Sequence, residues 1–322
     1  MTSRFFTLLL VLVLGKADAQ QLPQYSTWLL NPYLYNPAAA GLEHTLIANG
    51  IYRKQWVDLD GAPVSQHIDA HLPFYFLSSG AGIKIDNDQV GAHQTIQAML
   101  SWNYQIELAK GLVSVGLSTG YQQYSLDGGR LRAPQGDYKD PAFQHNDDYL
   151  PLGRINLGTP VMEFGAFYAN EKLEIGIAAL PVFAPVIREK SPGVFRLTPQ
   201  RHYVMMAAYQ LPVGDNLTIK PGLLIKSDFS ATQIEVSSML VWKEKIYGIF
   251  SYRGFTRSDK DAAVIAAGIK MNEKTTLIYA YDLPLSALQS TNRGSHEIAL
   301  RYSLDRQLGV GKLPPVIYNP RF

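Results

Sequence analysis

The chain has 322 residues, no cysteine and nearly balanced charge, with 29 Lys and Arg against 27 Asp and Glu for a net +2. The lack of thiols excludes a disulfide framework, a thiolate nucleophile, a thiolate metal centre and a lipid-modified N-terminal Cys. The even scatter of charge speaks against nucleic acid as a partner, which calls for a basic stripe. Aromatic residues are plentiful, at 19 Tyr, 13 Phe and 4 Trp. That supply meets the demand of two interfacial girdles in a membrane barrel, and a soluble β-sandwich can carry it too.

In chain order, residues 1–19 read as a secretion signal: Arg4 supplies the positive start, residues 5–14 the apolar core, and Ala17-Asp18-Ala19 the small-residue cleavage site. The core is about ten residues, half of the roughly twenty a helical span needs, and no later stretch is long enough either. Residues 20–44 follow as a segment with no strand period. Its Asn31-Pro32 and Asn36-Pro37 pairs force extended or turn geometry, and Tyr33, Tyr35, three alanines and Gly41 accompany them. This segment is expected either to dock against a surface, plugging or lining a lumen, or to be a periplasmic lead-in.

From Thr45 to Leu304 a pattern of roughly ten alternating residues and a turn recurs about fourteen times, the mark of a transmembrane antiparallel β-barrel. Val113, Val115, Leu117, Thr119 and Tyr121 oppose Ser114, Gly116, Ser118, Gly120 and Gln122. Leu173, Ile175 and Ile177 oppose Lys172, Glu174 and Gly176, and Ile298 and Leu300 oppose Glu297 and Arg301. A one-residue slip would put Glu297 and Arg301 into lipid, so the register is well determined. Inward glycines such as Gly80, Gly116, Gly165, Gly176 and Gly222 either leave room for packed contents or relieve strand bending. Links after even strands are short and those after odd strands longer, notably residues 125–160 and 183–199, which matches short periplasmic turns and longer outer loops. Residues 245–253 change phase, predicting a bulge near Ile249 and Phe250. Pro221 removes a ladder donor inside a strand, and a count of twelve or sixteen strands stays open. The tail 305–322, with prolines at 314, 315 and 320, cannot continue the sheet and is expected to return to the periplasm.

Three features carry a family resemblance: Gln24-Tyr25-Ser26 and the run from Asn31 to Gly41, then Tyr52-Arg53-Lys54-Gln55-Trp56 with Asp60-Gly61-Ala62-Pro63, and finally Ser295 to Tyr302. In this order the chain resembles the PorP/SprF family of type IX secretion system membrane proteins, over essentially its whole length after the signal. The resemblance implies an outer-membrane protein of the type IX secretion and gliding machinery, without enzymatic activity or cofactor. Its implied partners are outer-membrane lipid, other secretion components, a secreted adhesin or other cargo, and a periplasmic peptidoglycan-binding protein. A passive outer-membrane channel or a hydrophobic-substrate transporter is the alternative.

Candidate site residues follow from placement. Asn31, Pro32, Tyr33, Tyr35, Asn36, Pro37 and Gly41 are the partner-docking candidates. Arg53, Asp69, Glu297 and Arg301 are the lumen charges, and Arg53 needs a counterion such as Glu297 or Asp69, because first and last strands of a closed barrel are neighbours. His67, Asp69 and His71 share a strand face at i, i+2 and i+4, the spacing of metal ligands, yet no fourth ligand closes the set and lumen lining is the better expectation. No Gly-x-Ser-x-Gly elbow or phosphate-cradling loop occurs. The mixed charges Arg130, Arg132, Asp137, Lys139, Asp140, Asp147 and Asp148 of the longest loop read as solvated, with calcium or cargo contact as the minor alternative.

Overall fold

The computed structural model describes residues 22–304 apart from 44, 109, 140–142, 148–149, 189–195 and 255–260. The signal-type segment 1–19, the tail 305–322 with its prolines and Phe322, and the loop residues Asp140 and Asp148 lie outside the described residues.

The strands are β1 (Ile47–Lys54), β2 (Val64–Phe74), β3 (Ser79–Val90), β4 (His93–Leu108), β5 (Gly111–Asp127), β6 (Arg154–Ala169), β7 (Leu173–Phe183), β8 (Ile187–Arg188) and β9 (Arg196–Leu197). They continue with β10 (His202–Tyr209), β11 (Leu211–Val213), β12 (Leu217–Ser227), β13 (Thr232–Trp242), β14 (Ile246–Arg253), β15 (Ala262–Asn272), β16 (Thr275–Pro284) and β17 (Ser295–Ser303). Every wall strand pairs antiparallel with its sequence neighbours; β10 bridges β7 and β12, and β1 pairs with β17, so the sheet closes. Counting β10 and β11 as two parts of one strand gives a wall of fourteen, while β8 and β9 pair only with each other. Closure removes the sheet edge and satisfies the ladder internally, which is what a strand-based membrane crossing requires.

Burial alternates along the wall. In β5, Val115, Leu117 and Tyr121 are exposed while Ser114, Gly116 and Ser118 are buried, and in β17 Ile298 and Leu300 are exposed between Glu297, Ala299 and Arg301. Outward apolar side chains such as Ile68, Leu100, Ile177, Ile265 and Leu300 form a lipid-facing band around the closed sheet. Exposed aromatics sit toward both rims: Trp102, Tyr104, Tyr209 and Trp242 near the short turns, and Tyr52, Tyr121 and Tyr203 near the longer links. Rings with an apolar body and a polar tip suit the two membrane–water boundaries. No helix among the described residues is long and apolar enough to cross a membrane.

Links at one rim, residues 75–78, 109–110, 170–172, 214–216, 243–245 and 273–274, are short. At the other rim lie 55–63, 128–153, 184–201, 254–261 and 285–294, together with two tight exceptions, 91–92 and 228–231. The second exception is stabilised locally: Asp228 Oδ1 accepts N–H groups of Ala231 (2.6 Å) and Ser230 (2.8 Å), which hold that carboxyl below the usual carboxylate range.

Two expectations are corrected. The loop placed at 125–160 is residues 128–153, because β5 and β6 stay paired out to Asp127 and Arg154. The bulge near Ile249 and Phe250 is absent: β14 pairs without interruption on both sides, and Tyr247, Ile249, Ser251 and Arg253 all point inward. Tyr247 and Ile249 tolerate the interior because apolar contents fill it there. Register shifts occur instead between Lys270 and Asn272 and between Met162 and Phe164. Pro221 does sit within β12, opposite the gap between β10 and β11, where its missing N–H leaves no ladder bond to break.

Candidate functional site: a filled barrel interior

The lumen is occupied by the chain's own N-terminal segment. Tyr25, Trp28, Leu29, Tyr33, Tyr35 and Ala38 are among a continuous run of buried residues from 25 to 43, and they share one apolar cluster with inward side chains of the wall such as Met206, Leu224, Met239 and Ile249. The Asn-Pro pairs shape this run. Asn31 and Asn36 precede two single 3-10 turns, Pro32–Leu34 and Pro37–Ala39, each begun by a proline whose missing N–H would be unpaired anyway. Asn36 caps the second turn by accepting Ala38 N–H at 2.9 Å.

Buried backbone without a sheet needs partners, and wall side chains supply them. Glu297 accepts Ser26 N–H (2.8 Å), Thr27 N–H (3.1 Å) and the Thr27 hydroxyl (2.7 Å). Arg301 donates to the Leu30 carbonyl (3.0 Å) and pairs with Glu43. Asn103 Nδ2 donates to the Ala40 carbonyl at 2.5 Å, and Gly41 N–H donates to His71 Nδ1 at 3.1 Å. Asn36 Nδ2 reaches the carbonyls of Ala166 (3.0 Å) and Ile177 (3.1 Å), while the Tyr33 hydroxyl meets Ser101 Oγ at 2.7 Å. All seven docking candidates, Asn31, Pro32, Tyr33, Tyr35, Asn36, Pro37 and Gly41, thus lie buried in contacts within this chain.

The inward glycines divide by what they face. A methyl built on Gly80, Gly82, Gly116, Gly165, Gly176 or Gly222 would strike the inserted segment, at Gly80 coming 2.2 Å from the Ala40 carbonyl oxygen. Gly120 and Gly268 instead face neighbouring wall strands. Close approach of the segment therefore accounts for the first group, by its backbone at Gly80 and Gly116 and by its side chains at the others.

Of the four lumen charges, Arg53 and Glu297 share one cluster, Asp69 belongs to a second, and Arg301 pairs with Glu43. Arg53 contacts Asp282 (2.6 Å) and Glu297 (3.1 Å), and Arg253 contacts Glu235 (2.8 Å) and the same Asp282 (3.0 Å). Ser26 Oγ bonds Asp282 (2.8 Å), Trp28 Nε1 bonds Glu235 (3.2 Å), and Gln24 accepts from Arg253 (3.0 Å), so the inserted segment closes the network. Asp69 belongs to the other cluster: it accepts from Asn31 and from Asn49 (2.8 Å) and lies 2.7 Å from His67 Nε2, whose second nitrogen is 2.6 Å from Asp86. Both ring nitrogens of His67 are spent on carboxylates and His71 serves Gly41, so the strand-face trio is not assembled around an ion. Among the described residues no His, Asp or Glu cluster has the arrangement of a metal site.

Sequence reasoning missed Asp282, Arg253, Glu235, Ser26, Thr27 and Trp28, and the buried pair Lys84–Glu163 (2.6 Å). Inward parity on β13 and β16 marks Glu235 and Asp282, but the supposed phase change in β14 concealed Arg253. In the long loop, the Arg132 guanidinium stacks 4.7 Å over the Tyr138 ring, Tyr138 bonds His145 at 2.9 Å, and Arg130 donates to the Gly91 carbonyl of a neighbouring link (2.8 Å).

Among solved structures the chain is similar to the Ralstonia pickettii toluene transporter TbuX, at 10% identity and a TM-score of 0.49 over 83% of this chain and 91% of that one. It is similar to the Acinetobacter baumannii outer membrane protein Omp33, at 7% identity and 0.46 over 82% and 100%, and to a Pseudomonas aeruginosa FadL homologue, at 11% and 0.46 over 89% and 96%. No curated protein matches the chain. The model of one family, type IX secretion system membrane protein PorP/SprF, matches residues 17–302. A closed fourteen-stranded wall with an apolar outer band and this match agree: the chain belongs to the PorP/SprF family and is an outer-membrane β-barrel component of type IX secretion.

Proposed function

We propose that the protein is a non-enzymatic scaffold of the type IX secretion and gliding machinery, supporting secretion or surface retention of cargo adhesins and docking a periplasmic peptidoglycan-linked complex. Residues 1–19 direct its export and are removed. The observation that carries the scaffold role is the filled interior: residues 25–43 are buried, and their backbone is bonded to wall side chains along the length of the lumen. A passive channel needs the space this segment occupies. A scaffold does not, and a rigid filled core presents its rims and loops in fixed positions.

The test is deletion with complementation. Loss of the protein is expected to abolish secretion or surface display of its cargo, and affinity purification of the restored protein from outer membranes is expected to bring down secretion components and a peptidoglycan-binding partner. Intact cargo display in the deletion strain would refute the proposal.

A further inference from the structure

The interior segment has a direction along the barrel axis. Its upstream end lies at the rim of the longer links. Gln24 accepts from Arg253, the last residue of β14, and lines a small polar pocket with Gln55, Trp56, Asp261, Pro284 and Ser295, each at or beside a strand end on that rim. Ser26 and Thr27 then bond Glu297 near the start of β17, and Leu30 bonds Arg301 further along the same strand. The downstream end lies at the opposite rim. Gly41 packs on Leu72 and Gly80, which flank the short turn 75–78, and Glu43 pairs with Arg301. Beyond it, the Leu46 carbonyl accepts Leu304 N–H (2.9 Å) where β1 begins and β17 has ended.

We propose that residues 24–43 are a further crossing of the membrane, made inside the barrel, with the upstream end open to the cell exterior and the downstream end at the periplasmic rim. A hairpin inserted from the periplasm would return Gln24 to the short turns; here it lies at the mouth beside Trp56. An even number of wall strands puts the start of β1 and the end of β17 on one rim, so Leu22 and Leu304 face opposite sides of the membrane. Leu22 is then presented to the cell exterior, and the charged network of Arg53, Arg253 and Asp282 lies beneath it in the lumen. This inference rests on chain geometry and is independent of the secretion role.

The native chain has no cysteine, so single substitutions report cleanly. Leu22→Cys and Gln24→Cys are compared in intact cells with Asp60→Cys, exposed in link 55–63, and Lys274→Cys, exposed in turn 273–274, using a membrane-impermeant maleimide. Leu22→Cys keeps the Gln24–Arg253 bond and serves if Gln24→Cys misfolds. The expected result is labelling of Leu22→Cys and Gln24→Cys in intact cells, as for Asp60→Cys, with Lys274→Cys labelled only after permeabilisation. Labelling of both upstream positions only after permeabilisation, or only after denaturation, would overturn the proposal.

Discussion

The inserted segment meets the two sides of the barrel in different ways. Around the closing seam, from β13 through β17 to β2, the wall offers charge: Glu235, Arg253, Asp282, Glu297, Arg53 and Asp69 each bond either the segment or a residue that bonds it. From β3 to β7 the wall offers absence: Gly80, Gly82, Gly116, Gly165 and Gly176 let the segment's backbone, Tyr33 and Asn36 approach, with Asn103 as the main polar contact. Charged contacts have direction and set where the segment sits; glycines have none and set how closely it fits. The seam is also where the barrel must close, since Arg53 and Glu297 are paired directly across β1 and β17. Polar grip is thus placed where pairing joins the two ends of the sheet, and steric fit where consecutive strands pair locally.

The contrast can be broken most severely on the charged side. Glu297→Ala removes a counterion of Arg53 and three acceptor contacts to Ser26 and Thr27, and is expected to cost about 3–5 kcal/mol, because the surviving buried groups lose their partners. Denaturant unfolding in detergent micelles reads this directly; a loss below about 1 kcal/mol would show that the charges do not hold the segment. Trp28→Ala is expected to cost about 3 kcal/mol in the same assay, since a fully buried indole in the apolar cluster leaves a cavity. On the glycine side, Gly80→Ala is expected to cost about 1–3 kcal/mol through the clash with the Ala40 carbonyl. Gly50→Ala, on β1 with open space around it, is the matched control and is expected to change stability by less than about 0.5 kcal/mol. Equal costs at Gly80 and Gly50 would remove steric fit from the account.

The wall was legible in the sequence wherever lipid imposed an apolar face on one side only. Val115, Leu117, Ile175, Ile298 and Leu300 have no alternative orientation, and the shorter links marked one rim. The pattern fell silent in β14, because Tyr247 and Ile249 face an apolar interior and so resemble lipid-facing residues. A binary pattern cannot assign faces when both are dry. That ambiguity hid Arg253, and with it the second half of the charged network. Arg53 and Glu297 were legible as neighbours across the seam because closure joins the first strand to the last. Ser26, Thr27 and Trp28 carry no such signal, since a segment of turns has no period from which to read a buried face.

The filled interior is the central claim, and conductance across a planar lipid bilayer tests it most directly. The intact protein is expected to be electrically silent, and a variant lacking residues 24–43 to open a steady, resolvable pore. Steady conductance from the intact protein, equal to that of the deletion variant, would contradict the account.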